Sequence, residues 1–286
     1  PTAPLHYQVG RARYETGKYL PAAADLQKAI DLGNQDTATY ILQGRAYYQA
    51  QNWQKAIVAL DLAEGAGTKT VEAYQLRGEA KNNANDPLGA ITDLSQAISL
   101  GLQERDTYVL LADLQYANDQ QAEAFANYEQ AVALEAVEAH IFLRMGLIRY
   151  AAEDYTTARD LLIKAREIGD DDPEGAEALG ASYYALEDYK QAIPLLQKVI
   201  ASGKRTGINY RMLGLSHYQS GDCTEAIRAL GAAITAGTED QEILLAKGSC
   251  QYDAKQYPQA IADLEKAAAL GNVEAIIYEQ IGIAAW

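Results

Sequence analysis

The chain has 286 residues, with 24 Lys+Arg against 39 Asp+Glu and a formal net charge of −15. That balance lacks the basic footprint nucleic acid requires and works against an anionic membrane surface. With 49% hydrophobic and 22% charged residues, the composition is that of a folded chain and not a disordered one.

Two cysteines, Cys223 and Cys250, cannot build a disulfide scaffold, and with three scattered histidines they offer no metal-ligand cluster. No uncharged run approaches the ~18 residues of a membrane-spanning helix, so no direct membrane insertion is expected. The chain opens on Pro1, which is compatible with a removed leader or a neighbouring domain. Localisation therefore stays open among soluble, periplasmic and cytoplasmic settings. The 22 Gly, and the 20 Tyr beside only 2 Phe, are explained once the sequence is laid against itself.

The predicted elements recur with a period of 34 residues and no insertion, in repeats starting near 3, 37, 71, 105, 139, 173, 207 and 241. Each opens with a helix A carrying a small residue: Gly10, Gly44, Gly78, Ala112, Gly146, Gly180, Gly214 and Gly248, continued by Gly282. A helix B follows, with Ala22, Ala56, Ala90, Ala124, Ala158, Ala192, Ala226 and Ala260 twelve residues further on. Four residues beyond these stand Leu26, Leu60, Leu94, Tyr128, Leu162, Leu196, Leu230 and Leu264. Three more lead to Ala29, Ala63, Ala97, Ala131, Ala165, Val199, Ala233 and Ala267. The i, i+4, i+7 spacing is one buried helical face, and the small residue on helix A lets that face approach closely. Gly33, Gly67, Gly101, Gly169, Gly203, Gly237 and Gly271, with Glu135 as the exception, are placed to end each B helix in the left-handed conformation. Pro4 and Pro173 fall at A-helix starts, and Pro21, Pro87 and Pro258 in the first turn of B helices. Asp172 reads as an N-cap, and Pro194 is expected to bend its helix. Val273 to Trp286 repeats helix A alone, either as a cap or as part of a longer array.

This two-helix unit resembles the tetratricopeptide repeat, with its W-x-x-L-G-x-x-Y…A-x-x-x-F…A pattern, over essentially the whole chain. With the small residue numbered position 8, the alanines fall at 20 and 27 and the leucine at 24, where that family keeps them. The family's usual proline at position 32 is absent throughout. The resemblance implies an all-α fold: a right-handed α-solenoid (superhelix) of antiparallel helix pairs, forming a single domain over residues 1–286 with a terminal helix 273–286.

The resemblance also implies a concave surface lined by A helices through positions 2, 5, 9 and 12. Position 12 holds Tyr14, Tyr48, Asn82, Tyr116, Tyr150, Tyr184, Tyr218, Tyr252 and Trp286. Rigid amphipathic rings suit a peptide or a sugar, and they suit packing between A helices equally. Arg11, Lys18 and Arg45 give that surface a basic end. Glu72, Glu79, Asp86, Asp106 and Asp113 give it an acidic middle, and Leu143, Leu147, Ile208, Leu215 and Leu245 an apolar far half relieved by Arg211. Such a pattern would orient an extended partner; the alternative is a set of solvated charges. Convergence of the carboxylates on a divalent cation is disfavoured, because they sit on different helices.

Arg11 and Arg45 do not reproduce the Lys/Asn carboxylate clamp with which some members bind chaperone tails. His6, His140 and His217 lie in different repeats, and no triad, zinc motif or phosphate loop appears. No enzyme activity and no cofactor are expected. In the implied architecture Cys223, at position 17, and Cys250, at position 10 of the next A helix, approach one end of the unit. They are either a disulfide in an oxidising compartment or two small buried residues. The expected function is a non-catalytic scaffold for protein–protein interaction that holds an extended peptide or a helix of a partner. The alternatives are a carbohydrate-handling periplasmic module, like arrays that precede bacterial exopolysaccharide pores, and end-to-end self-association through Trp286.

Overall fold

The structure is a computed structural model that describes residues 2–271 and 275–284, with side chains from 277 onward in the last segment. Every regular element among the described residues is an α-helix. The chain divides into two compact units, Pro1–Ala136 and Val137–Trp286.

The first unit contains four helix pairs: α1 (Ala3–Glu15) with α2 (Tyr19–Asp31), α3 (Thr37–Gln49) with α4 (Trp53–Gly65), α5 (Val71–Asn83) with α6 (Pro87–Ser99), and α7 (Arg105–Ala117) with α8 (Gln121–Ala133). The second contains α9 (Ala139–Ala151) with α10 (Tyr155–Ile168), α11 (Pro173–Ala185) with α12 (Tyr189–Ala201), α13 (Gly207–Gln219) with α14 (Cys223–Thr235), α15 (Gln241–Asp253) with α16 (Tyr257–Leu270), and then α17 (Ala275–Ala284). Val273 and Trp286, at the two ends of the expected terminal helix, lie outside the described residues.

Odd-numbered helices are the A helices and even-numbered ones the B helices of the sequence repeat. Within each unit an A helix packs on its own B helix, and that B helix packs on the next A helix. Neighbouring A helices also meet one another, as α1 with α3 and α13 with α15, and successive B helices do so far less closely. This unequal spacing makes the A-helix face the inner side of each stack.

The leucine column forms the core. Leu26, Leu60, Leu94, Leu162, Leu196, Leu230 and Leu264 are buried, and so is the alanine column that flanks them. Each such leucine contributes about 2 kcal/mol by leaving water, an upper bound because the unfolded chain is itself partly compact. The glycine column explains the close approach. A Cβ built on Gly44, Gly146 or Gly214 would stand 2.6 to 2.7 Å from the Cγ of Leu60, Leu162 or Leu230. At the one repeat with Ala112 in this place the partner is Tyr128, fully buried, whose hydroxyl donates to Asp113 Oδ1 at 2.6 Å.

Helix ends follow the same period. Gly33, Gly67, Gly101, Gly169, Gly203 and Gly237 all have positive φ, and Glu135 takes the same conformation at φ 67°. Gly271 departs from expectation: its φ of 172° is extended backbone. There the Gln241 side chain donates to the Ala267 carbonyl at 3.2 Å. In the preceding repeat the equivalent carbonyl, that of Ala233, is taken by the Thr238 N–H at 2.9 Å. Asp172 caps α11 by accepting from the Glu174 N–H at 2.7 Å. Asp86, Asp154, Asp188 and Asp222 cap four B helices in the same way. α12 continues through Pro194.

Candidate functional site

On the inner face of the first unit, α1, α3 and α5 carry the candidates Arg11, Tyr14, Arg45, Tyr48 and Glu79. Two adjoining depressions lie there. One is lined by Tyr7, Arg11, Tyr14, Ile41, Arg45 and Glu72, the other by Tyr14, Arg45, Tyr48, Gln75 and Glu79 with Glu72 again. Because Tyr14, Arg45 and Glu72 belong to both, the depressions form one strip across three helices.

The charges along the strip are already in use. Arg11 Nε donates to Glu15 Oε1 at 2.9 Å, and this bond raises the arginine's pKa. Arg45 pairs with Glu72 on the next A helix. The Tyr48 hydroxyl donates to Glu79 Oε2 at 2.6 Å. Burial, then the Glu79 hydrogen bond and its charge, push the Tyr48 phenol well above its ordinary value. The carboxylates of the acidic middle are likewise engaged one at a time: Asp86 caps the Gly89 N–H at 3.0 Å, Asp106 meets Arg105 at 2.8 Å, and Asp113 takes the Tyr128 hydroxyl. Among the described residues no group of three or more His, Cys, Asp or Glu could hold a metal ion.

The position-12 tyrosines are half-buried, and five of the seven meet an aromatic residue five positions on, at the start of helix B. Ring centroids lie 5.6 Å apart in Tyr14–Tyr19, 5.3 Å in Tyr48–Trp53, 5.9 Å in Tyr150–Tyr155, 6.0 Å in Tyr184–Tyr189 and 5.8 Å in Tyr252–Tyr257, with tilted or edge-on planes. The sequence reading passed over this second column, although Tyr19, Trp53, Tyr155, Tyr189 and Tyr257 keep the same 34-residue period. The column is interrupted where Asn82 precedes Pro87, Tyr116 precedes Gln121 and Tyr218 precedes Cys223. Tyr150 and Tyr184 also pack on buried residues of the following helix pair, and burial raises the pKa of both.

In the second unit Arg211 Nε donates to Asp240 Oδ2 at 2.8 Å, and the same guanidinium meets Glu242. Its pKa is raised: burial is the largest single influence and opposes the charge, and the Asp240 hydrogen bond together with the charges of Glu242 and Asp240 and the Tyr184 phenol more than offsets it. On the outer side, α10 and α12 bound a crevice with Leu179, Tyr183 and Leu195 in its lining and Arg166, Asp170 and Lys198 among its polar residues. Burial raises the Asp170 pKa. Cys223 and Cys250 are joined, with Cα atoms 5.0 Å apart, linking the first residue of α14 to α15.

The sequence reading also missed a buried ion network in the first unit. Arg77 grips Asp93 with two bonds of 2.7 and 2.8 Å, reaches Asp61 at 2.8 Å and Glu64, and lies over the Tyr74 ring. Lys81 adds a second cation to Asp93 at 2.8 Å. The sequence signal was an aspartate in the otherwise apolar stripe of α6.

A family model described as a tetratricopeptide repeat matches residues 7–69, 143–205 and 211–275. No curated protein matches the chain significantly. Among solved structures, YrrB, described as a TPR protein with an unusual peptide-binding site, aligns with a TM-score of 0.52 at 20% identity over 68% of this chain and 98% of that one. MamA aligns with a TM-score of 0.50 at 20% identity, covering 58% of this chain and 91% of its own. A tetratricopeptide repeat protein from Parabacteroides merdae covers 88% of this chain and all of its own, at 14% identity and a TM-score of 0.44. At these identities the likeness is one of fold.

Proposed function

This chain belongs to the tetratricopeptide-repeat family, and on that footing we propose that it is a non-catalytic scaffold holding an extended peptide of a protein partner along the inner face of its first unit. The family supports protein–protein interaction in general. The observation that carries the finer reading is the continuous strip over α1, α3 and α5, where two depressions share Tyr14, Arg45 and Glu72. Rings alternate there with charges held at fixed places by neighbouring helices, an arrangement that recognises a peptide by shape and by exchange of polar contacts. YrrB, with the same fold, is a precedent for a peptide-binding site on such repeats.

The sugar-binding alternative needs free ring faces, and in five repeats the position-12 ring is engaged by its position-17 neighbour. Self-association was expected through Trp286, which lies outside the described residues.

The test is selection of peptides from a random display library on the purified protein, followed by calorimetric titration of those enriched. Micromolar binders are expected, since a few rings at ~1 kcal/mol each must offset the cost of association. Arg45→Glu should weaken them at least tenfold, and Arg211→Ala in the second unit should not. An absence of enrichment, or binding indifferent to Arg45, would refute the reading.

A further inference from the structure

The bond between Cys223 and Cys250 joins two different repeats. Cys223 opens α14, the B helix of the seventh, and Cys250 sits inside α15, the A helix of the eighth, 27 residues on. In a stacked array each repeat is held by its neighbour interfaces, so a covalent tie across one interface adds directly to what holds the helices on either side of it. Within the seventh repeat the ring pair that joins helix A to helix B in five others is missing, because Cys223 stands where Tyr155, Tyr189 and Tyr257 stand in theirs. Besides the sulfur bridge, Arg211 ties α13 to the start of α15 through Asp240 and Glu242.

We propose that Cys223–Cys250 is a redox-controlled staple fixing the eighth repeat to the seventh, so that α15 and α16 keep their full protection from unfolding only in an oxidising compartment. A disulfide of this kind persists in such a compartment and is rare where glutathione keeps thiols reduced.

The two sulfurs have different roles. Cys250 is fully buried, whereas Cys223 is half-buried at the first residue of its helix, so Cys223 is the sulfur that an external disulfide reaches first. Starting from two thiols, the Cys223 thiolate attacks a disulfide oxidant (glutathione disulfide or an oxidised thiol oxidoreductase) and releases one donor thiolate. The Cys250 thiolate then attacks the Cys223 sulfur of the mixed disulfide and expels the second. The protein gives up two electrons and two protons, and the donor leaves as two thiols.

Hydrogen exchange on the full chain, with and without a phosphine reductant, tests the staple. Reduction should speed exchange of α15 and α16 amides about a hundredfold and leave those of α1 to α6 unchanged. A Cys223→Ala/Cys250→Ala chain should exchange like the reduced protein and ignore the reductant. With glutathione disulfide, Cys250→Ala should accept glutathione on Cys223, while Cys223→Ala should leave Cys250 unmodified. Two freely alkylated thiols after equilibration with glutathione disulfide would overturn the proposal. So would cleavage of the bond without faster exchange in α15.

Discussion

The glycine at position 8 shows how narrowly a single residue sets the helix–helix distance. A Cβ on Gly214 would meet Leu230 Cγ at 2.6 Å and the Leu230 backbone nitrogen at 2.9 Å, whereas one on Gly180 finds nothing nearer than 3.3 Å. Gly214→Ala is therefore expected to cost about 1–3 kcal/mol by overpacking and Gly180→Ala clearly less, measured by urea unfolding. Equal costs would mean that the glycine column does not set the spacing. The A-helix ends tell a second story at this scale. Gln51, Asn85, Asp119, Glu153, Glu187 and Lys255 all take positive φ at one position of the repeat, where only Gly17 and Gly221 are glycines. Asn85 and Asp119, like the two glycines, suit that conformation, whereas at Gln51, Glu153, Glu187 and Lys255 it is imposed by the tight turn from helix A to helix B.

At the scale of the element, α4, α5 and α6 are bound together by Arg77. Removing the guanidinium would leave Asp93 buried with Lys81 as its remaining cation. Arg77→Met is expected to cost about 3 kcal/mol, and Arg77→Met with Asp93→Leu to recover much of it. The network carries a pH signature through Glu64, whose pKa is lowered first by the Arg77 hydrogen bond and then by that from Tyr74. A carboxylate with a depressed folded pKa stabilises fully above its unfolded value, about 4.3, and loses that contribution as pH falls through the folded value. The melting temperature should thus decline below about pH 4.5, and Glu64→Gln should flatten the decline. The capping aspartates belong to this scale too. Asp172 was read as a cap from the proline that follows it; Asp86, which Pro87 follows in the same way, was passed over, and with Asp154, Asp188 and Asp222 it forms a column that stands out once helix starts are known.

For the whole molecule, each unit buries its own share of the leucine and alanine columns. A chain of residues 1–136 is expected to fold by itself, with a helical circular-dichroism spectrum and a sigmoidal melt; a spectrum without helix would contradict this. The net charge of −15 works against non-specific association of such a stack with polyanions.

By itself the sequence determined the period, the two helices of each repeat, the buried stripe and most helix ends. All of these are local: a 3.6-residue stripe and a glycine at a helix terminus act on neighbours along the chain, and 34-residue recurrence reads them out eight times over. The tertiary structure alone decided that the position-12 tyrosines engage rings at position 17, that Arg45 and Arg211 are paired across successive A helices, that Arg77 is buried among carboxylates, and that Cys223 meets Cys250. These contacts join side chains from different helices, and whether two such groups touch depends on packing distances and rotamers that a linear pattern does not encode.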